Sequence, residues 1–172
     1  YLLWEKSISE HKIKIKHVSF QSLPENIHGV HIQFLWPLHP PKQNDQNTSY
    51  NETNDSSLVM KITYGTIIFL ITGDISSLIE TLLIRSGHNL KSDLLFVPHH
   101  GSVHSSSVDF IRAVSCRFAI VSAGKNNVFH HPHPDVIGRY HVNGVALFRT
   151  DQQGAITAQT DGKSLEITSW LK

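Results

Sequence analysis

The sequence has little cysteine, little charge and no long apolar run. Its single cysteine, Cys116, excludes an internal disulfide and any zinc site built on a cysteine cluster. Charged residues make up 17% of the 172 positions and the formal net charge is +1, so the composition indicates no whole-chain attraction to nucleic acid or to a membrane surface. No apolar run approaches the roughly 20 residues of a membrane-spanning helix. The first residues lack the features of a signal peptide.

What is abundant is histidine. The chain contains 13 histidines in a composition that is 40% hydrophobic, and its length and mixture are those of one globular domain. Histidine is the commonest metal ligand, so its positions are the first place to look for chemistry. Because the chain begins at Tyr1 without an initiator methionine, we expect a fragment or a processed piece of a longer protein.

The hydrophobic pattern predicts strands and helices in alternation. Period-two or continuous apolar segments predict strands at residues 11–20, 29–41, 57–64, 66–72, 93–97, 117–124, 144–150, 154–160 and 163–170. Amphipathic segments predict helices at residues 75–87, 107–114 and 135–142. The polar segment 42–56 is typical of an exposed loop. This alternation predicts an α/β fold, in which sites usually form at the carboxyl ends of strands.

Asp74 is the first of three sets of polar residues that follow an apolar strand. It stands in the loop "LITGDIS", where its carboxylate could bind, or bridge, divalent cations. The alternative is that Asp74 is the N-cap of the next helix, a role worth about 1 kcal/mol. Both interpretations stay open from this loop alone.

The second set is His99 and His100 in "FVPHHGSVHSSS". Adjacent side chains after a strand point in different directions, so one imidazole could ligate a metal while the other supports it. Gly101 would let the backbone pass close to a bound ion or phosphate. The alternative is that the two histidines only flank a turn.

The third set lies in "SAGKNNVFHHPHPDV", where Asn127, His131 and His133 precede a helix that starts at a proline. The free N–H groups of a helix N-terminus suit phosphate, and either histidine could protonate a leaving oxygen or ligate a metal. The alternative is that these residues form turns and caps, which we prefer for His104 and His130. Together, a carboxylate, imidazoles and a phosphate-binding helix end suggest metal-assisted hydrolysis of a phosphodiester.

The order of these motifs resembles a known family. "NDSSLVMKITYGTIIFLITGDI", "SDLLFVPHHGSVHSSS", "SAGKNN" and "HPHPDV" are similar to the carboxyl-terminal metallo-β-lactamase-fold domain of the ComEC/Rec2 competence proteins, which take up DNA. The resemblance extends from about Val30 to about Thr157. It implies an αββα sandwich, a nuclease-type phosphodiesterase with one or two zinc or manganese ions, and attachment to a bacterial membrane channel. The implied partners are DNA, the channel domain and other DNA-uptake proteins.

The resemblance also implies roles for particular residues. The TGD motif makes Asp74 a bridging metal ligand, and the PHHGS motif makes His99 and His100 metal-site residues, with His100 as the direct ligand. His131 and His133 fall on the HPHP motif as catalytic residues. The remaining matched residues are expected to bind substrate phosphate or to fix the loops: Asn54, Ser57, Gly101, Ser102 and Asn127.

One part of the family pattern is absent from these 172 residues. Metallo-β-lactamase folds carry a first ligand cluster of the HxHxDH or HxDxDH type, and the sequence contains no such string. We therefore expect the second half of the sandwich, which forms a partial domain over residues 1–172. Two alternatives remain: a phosphodiesterase of the same fold with a non-DNA substrate, and a non-catalytic remnant that binds DNA or a partner.

Overall fold

The structure is a computed structural model that describes residues 2–14, 18–19, 21–37 and 54–171. Within these ranges, seven strands form one sheet in the order of the chain: β1 (Glu25–Ile27), β2 (Val30–Trp36), β3 (Val59–Tyr64), β4 (Ile67–Ile71), β5 (Leu94–Phe96), β6 (Phe118–Val121) and β7 (Ala146–Arg149). The helices are α1 (Leu2–Glu10), α2 (Ser77–Arg85), α3 (Val108–Val114), α4 (Pro134–Val142) and α5 (Thr150–Gln153). A separate hairpin pairs β8 (Ile156–Thr160) with β9 (Leu165–Ser169).

Strand direction divides the main sheet into two parts. Strands β1 to β4 pair antiparallel, and β4 to β7 pair parallel. Each parallel connection contains one α-helix, α2, α3 or α4, as parallel pairing requires a long crossover, and the connection from β5 to β6 also contains a 3-10 turn at Pro98–Gly101. The predicted α/β class is confirmed. The finer assignment, to half of a metallo-β-lactamase sandwich, stays a prediction.

The helices cover one face of the sheet. Leu70, Leu95, Ala119 and Val121 point to that face and are fully buried, in one cluster with apolar side chains of α2, α3 and α4. The only cysteine, Cys116, lies in the same cluster, and burial raises the pKa of its thiol to about 11. Cys116 is therefore a packing residue rather than a reactive thiol.

The opposite face of the sheet is also apolar but only partly covered. The strand register puts Phe69 and Phe118 in one row, with Leu94 between them, and puts Phe96 and Phe148 in the next row. These four phenylalanines are partly exposed. The sheet therefore carries apolar side chains on both faces, as expected of strands that are meant to be covered on both sides.

One predicted strand needs correction, and one predicted loop lies mostly outside the described residues. The strand predicted at residues 11–20 is wrong for the described positions 11–14 and 18–19, which belong to neither a helix nor a strand. Alternation alone does not make a strand without a partner, and β1 takes that sheet edge instead. Most of the predicted loop 42–56 lies outside the described residues, and its end at 54–56 is a turn.

The helices are short. Among the residues that the structure describes, none is long and apolar enough to cross a membrane.

Candidate functional site

The three predicted loops meet at the carboxyl ends of β4, β5 and β6. The His99 amide donates to the Gly73 carbonyl over 3.1 Å, which joins the first loop to the second. The His133 amide donates to the Gly101 carbonyl over 2.9 Å, which joins the second loop to the third. These side chains come together because parallel neighbours end at the same edge of the sheet.

Asp74 follows β4 and is held by its backbone. The Asp74 amide donates to Ser57 Oγ over 3.0 Å, and a Cβ on the preceding residue, Gly73, would lie 2.7 Å from Ser57 Cβ. Helix α2 begins later, with Ser76 as its N-cap, so the capping alternative for Asp74 is wrong. The Asp74 carboxylate, 41% exposed, is free of that role and points toward His100.

His100 lies opposite Asp74 with its ring orientation fixed. Its Nδ1 donates to the Ser122 carbonyl over 2.7 Å, and its Nε2 lies 3.5 Å from Asp74 Oδ1. In a neutral ring, donation through Nδ1 places the lone pair on Nε2, which is the tautomer that a metal-ligating imidazole needs. The pair is therefore one nitrogen and one oxygen donor aimed at the same space.

His99 supports this pair from the side. The Asn54 amide nitrogen lies 3.2 Å from His99 Nε2, and the His99 ring contacts the rings of His100 and His131 at centroid distances of 6.5 and 5.9 Å. Asn54 and Ser57 both make contacts between loops, and the loop-fixing role expected for them stays a prediction. The geometry places His99 beside the Asp74–His100 pair rather than between its members.

Gly101 is needed for close packing between two loops. It has φ +80°, and a Cβ there would lie 2.6 Å from Pro132 Cβ. The sequence predicted a close approach to an ion or phosphate, whereas the structure brings a proline of the third loop to this position. Ser102, which follows, is buried, and its carbonyl accepts the Ser105 amide over 3.0 Å.

His131 is clamped by Asn127. The Asn127 amide nitrogen donates to the His131 carbonyl over 2.6 Å, and the His131 amide donates to Asn127 Oδ1 over 2.9 Å. His131 Nδ1 is buried and has no hydrogen-bond partner. Burial lowers the pKa of His131, and the neighbouring histidines lower it further. The ring is therefore held neutral more readily than a free imidazole.

His133 takes the role of a cap. Its Nδ1 accepts the Asp135 amide over 3.2 Å at the start of α4, which follows through Pro134 as the sequence predicts. The structure thus supports the capping alternative for His133. His130, directly before the HPHP motif, has φ +54°, a conformation that glycine adopts most easily.

Two buried carboxylates that sequence reasoning missed hold the loops in place. Asp55 Oδ1 accepts the Ser76 amide over 2.9 Å. Glu80 is fully buried, and its carboxylate accepts the amides of Ser106 and Ser107. In the structure Glu80 lies on the buried side of α2 with Ile79 and Leu83, but the apolar pattern of this helix gave no signal for it.

Comparison with known proteins finds relatives among the competence proteins. The chain is 40% identical to ComE operon protein 3 of Bacillus subtilis (strain 168) over 103 residues, 60% of the chain. It is 36% identical to competence protein ComA of Neisseria gonorrhoeae over 129 residues, 74% of the chain. It is 31% identical to recombination protein 2 of Haemophilus influenzae over 139 residues, 81% of the chain. The chain is a relative of the ComEC/Rec2 competence proteins.

This relationship covers a small part of each ComEC/Rec2 protein. The matched segments are 13%, 18% and 16% of the lengths of these three relatives. No protein-family model matches the chain.

The donors present in this ComEC/Rec2 relative fit a divalent ion in kind but not in number. An imidazole and a carboxylate suit zinc or manganese. A tight site takes about three or four protein ligands, and the described residues contain no group of three histidines, cysteines or carboxylates that could hold a metal. Asp74 and His100 alone are therefore too few for a tight metal site.

Proposed function

We propose that this segment supplies one side of the active site of a metal-dependent phosphodiester hydrolase that acts on DNA in a competence protein. The observation that carries the proposal is the Asp74–His100 pair, with His100 Nε2 3.5 Å from Asp74 Oδ1 and His100 Nδ1 fixed on the Ser122 carbonyl. The kinship with competence proteins supports DNA as the substrate, and a membrane channel and other DNA-uptake proteins as partners.

In this proposal Asp74 and His100 hold one or two zinc or manganese ions together with further ligands. A divalent ion supplies activation of water near neutral pH and offsets the charge of the phosphate oxygens. The chain itself provides the preorganisation, because the Ser57 hydroxyl fixes the Asp74 backbone and the Ser122 carbonyl fixes the His100 ring. Fixed donors of this kind do not reorganise during the reaction.

His131 is proposed to donate a proton to the leaving oxygen. Its Nδ1 is buried without a partner, and Asn127 holds its backbone on both sides. A positioned general acid contributes about 100- to 10,000-fold to such a step. Because burial and the neighbouring histidines lower the pKa of His131, its protonated form depends on the negative charge of a phosphate bound beside the ring. His133 is assigned to the helix cap, so its substitution should affect stability before it affects chemistry.

The test compares Asp74→Asn and His100→Ala with Asp109→Asn and His141→Ala, which change exposed residues of α3 and α4. Binding of Mn²⁺ to the 172-residue chain is followed by electron paramagnetic resonance. Cleavage of a fluorescent single-stranded oligonucleotide is followed with the same ion. We expect both site variants to weaken Mn²⁺ binding and to lower any cleavage about 100-fold or more, while the matched controls leave both unchanged.

Cleavage or Mn²⁺ binding that is the same in the site variants and the parent chain would contradict the proposal. Hydrolysis of bis-p-nitrophenyl phosphate without any cleavage of DNA would instead favour a phosphodiesterase with another substrate.

A second candidate is a non-catalytic segment that binds DNA or a partner protein. The absence of a three-ligand group among the described residues favours it. DNA binding that needs neither Mn²⁺ nor Asp74, with no cleavage under any condition, would support this second candidate over the first.

A further inference from the structure

Two large apolar side chains are exposed at the tip of the loop between β6 and α4. Val128 is 81% exposed and Phe129 is 74% exposed, although the Phe129 ring stacks on His131. Exposed apolar residues are ordinary when they are scattered singly, but adjacent ones beside polar site residues mark a surface that binds something.

The loop that carries Phe129 is closed by its own hydrogen bonds. The Asn127 side chain donates to the carbonyls of Gly124 and His131 over 2.9 and 2.6 Å, and the His130 amide donates to the Asn127 carbonyl over 3.1 Å. The tip is therefore preorganised, so binding of a ligand to Phe129 costs little conformational entropy of the loop.

Phe129 begins a row of rings that ends at the proposed metal pair. Its ring stacks on His131 at 5.8 Å and 22°, and His131 contacts His99 at 5.9 Å. His99 contacts His100 at 6.5 Å, and His100 faces Asp74. One face of the Phe129 ring is thus packed against the site, and the exposed surface of the ring faces solvent a few side chains from Asp74.

The charge around this tip favours a polyanion. Residues 122–134 contain one lysine, the exposed Lys125, and three histidines, but no aspartate or glutamate. A phosphate backbone that lies along residues 122–134 would therefore face no carboxylate of this loop. The carboxylates beyond it are Asp135, which is next in the sequence, and Asp74 of the proposed metal pair. Single-strand binding proteins combine exposed aromatic rings, on which bases stack, with basic side chains along the phosphate backbone; here Phe129 and the exposed Lys125 share a loop without carboxylates.

We propose that Phe129, with Val128 at its edge, is a stacking platform for an unpaired nucleobase of single-stranded DNA. The assignment rests on the proposed function for its location, because the platform would place the strand beside Asp74 and His100. It adds a selectivity that the metal pair does not have, since bases within a duplex are already stacked and cannot seat on Phe129.

The experiment measures binding of the 172-residue chain to a short fluorescein-labelled oligo-dT in EDTA, where metal-dependent cleavage is absent. The same oligonucleotide with abasic sites in place of the bases is the second ligand. Variants are Phe129→Ala, Phe129→Leu and Phe129→Trp, with Val142→Ala as a matched control, since Val142 is 86% exposed on α4. Fluorescence anisotropy gives each dissociation constant.

We expect Phe129→Ala and Phe129→Leu to weaken oligo-dT binding about tenfold and to leave abasic binding unchanged. Phe129→Trp should retain the affinity, and the control should change neither ligand. An equal loss on both ligands, or no loss on either, would overturn the proposal, because a stacked base is the only group that the two ligands do not share.

The two proposals fail separately. If no variant or metal gives cleavage but the difference between oligo-dT and the abasic ligand persists, the hydrolase fails and the platform stands. If Asp74→Asn abolishes cleavage but Phe129→Ala binds oligo-dT as well as the parent does, the platform fails and the hydrolase stands.

Discussion

At the scale of single residues, the site depends on backbone conformations that most side chains avoid. His99, His100 and Gly101 have φ of 50°, 54° and 80° in succession. Left-handed conformations cost about 1–2 kcal/mol per non-glycine residue, so the two histidines are strained. Strain of this kind persists only where the surroundings fix it, and here the Ser122 carbonyl and Asn54 hold the rings.

A comparison of Gly101→Ala with Gly144→Ala should separate two contributions to the free energy of unfolding: the cost of a left-handed backbone at alanine, and the cost of a steric contact with the new Cβ. Gly144 has a similar φ of +72° with nothing near its Cβ position, whereas a Cβ on Gly101 would meet Pro132 at 2.6 Å. We expect Gly144→Ala to lower the free energy of unfolding by about 1–2 kcal/mol and Gly101→Ala by a further 1–3 kcal/mol or so. Urea denaturation measures both. Equal losses would show that Pro132 moves away at no cost.

At the scale of elements, helix α2 and the serine-rich segment after the PHHGS motif are joined by one carboxylate. Glu80 on α2 accepts the amides of Ser106 and Ser107, and Ser107 in turn caps α3. Tyr140 and Arg139 of α4 donate to the same segment. Three helices therefore hold the segment that follows His99 and His100.

Glu80→Gln should weaken this junction. The amide nitrogen of Gln would face a backbone N–H donor, so one buried donor loses its acceptor, at a cost of about 1–3 kcal/mol. The exposed Glu166→Gln is the control and should stay within about 0.5 kcal/mol of the parent. Urea denaturation again gives the free energy of unfolding. A Glu80→Gln protein as stable as the control would exclude the carboxylate as a structural acceptor.

The parent chain and the Glu80→Gln variant should also differ in how their stability depends on pH. Burial raises the pKa of Glu80 above its usual 4.5, and hydrogen bonds from Ser107 and Ser106 oppose that effect in part. The folded protein then holds the Glu80 proton more tightly than the unfolded chain does. The contribution that this tighter proton binding makes to the free energy of unfolding is fully present below the pKa of Glu80 in the unfolded chain. It is lost as the pH rises through the pKa of Glu80 in the folded protein. The stability difference between the parent and Glu80→Gln should therefore shrink as pH rises above 4.5, in denaturation curves measured across pH.

The elements that the sequence predicted well are those with local patterns. Strands β4, β5 and β6 are short apolar runs bounded by turn residues, and Pro134 and Ser107 mark helix starts in the sequence itself. The roles of Glu80 and Asp55 were not predictable in this way, because their partners lie 26 and 21 residues away. The PHHGS and TGD motifs indicated Asp74 and His100, whereas the capping of α4 by His133 needed the structure.

At the scale of the whole molecule, the sheet has two unequal faces. Helices cover the face with Leu70 and Leu95, and the opposite face carries four partly exposed phenylalanines: Phe69, Phe96, Phe118 and Phe148. Phe118 and Phe148 lie 6.2 Å apart between ring centroids. A contiguous apolar surface of this kind favours association with other apolar surfaces.

Phe148→Ser should reduce self-association of the purified chain. Phe148 is partly exposed and lies outside the buried core cluster, so we expect a shift toward monomer in sedimentation velocity at a given concentration. Trp170→Ser, at a residue that is 82% exposed outside the strands, is the control for general apolarity. A shift produced by Trp170→Ser and not by Phe148→Ser would place the association elsewhere.

The position of Asp74 and His100 on consecutive parallel strands couples ligand binding to the integrity of the sheet. Asp74 follows β4 and His100 follows β5, so both donors meet only while the pairing of Phe69 with Leu94 and of Leu70 with Leu95 is intact. A slip of one residue would turn the β5 side chains to the other face and separate the donors. A ligand that binds both Asp74 and His100 therefore links the ends of β4 and β5, and its binding free energy adds to the free energy of unfolding.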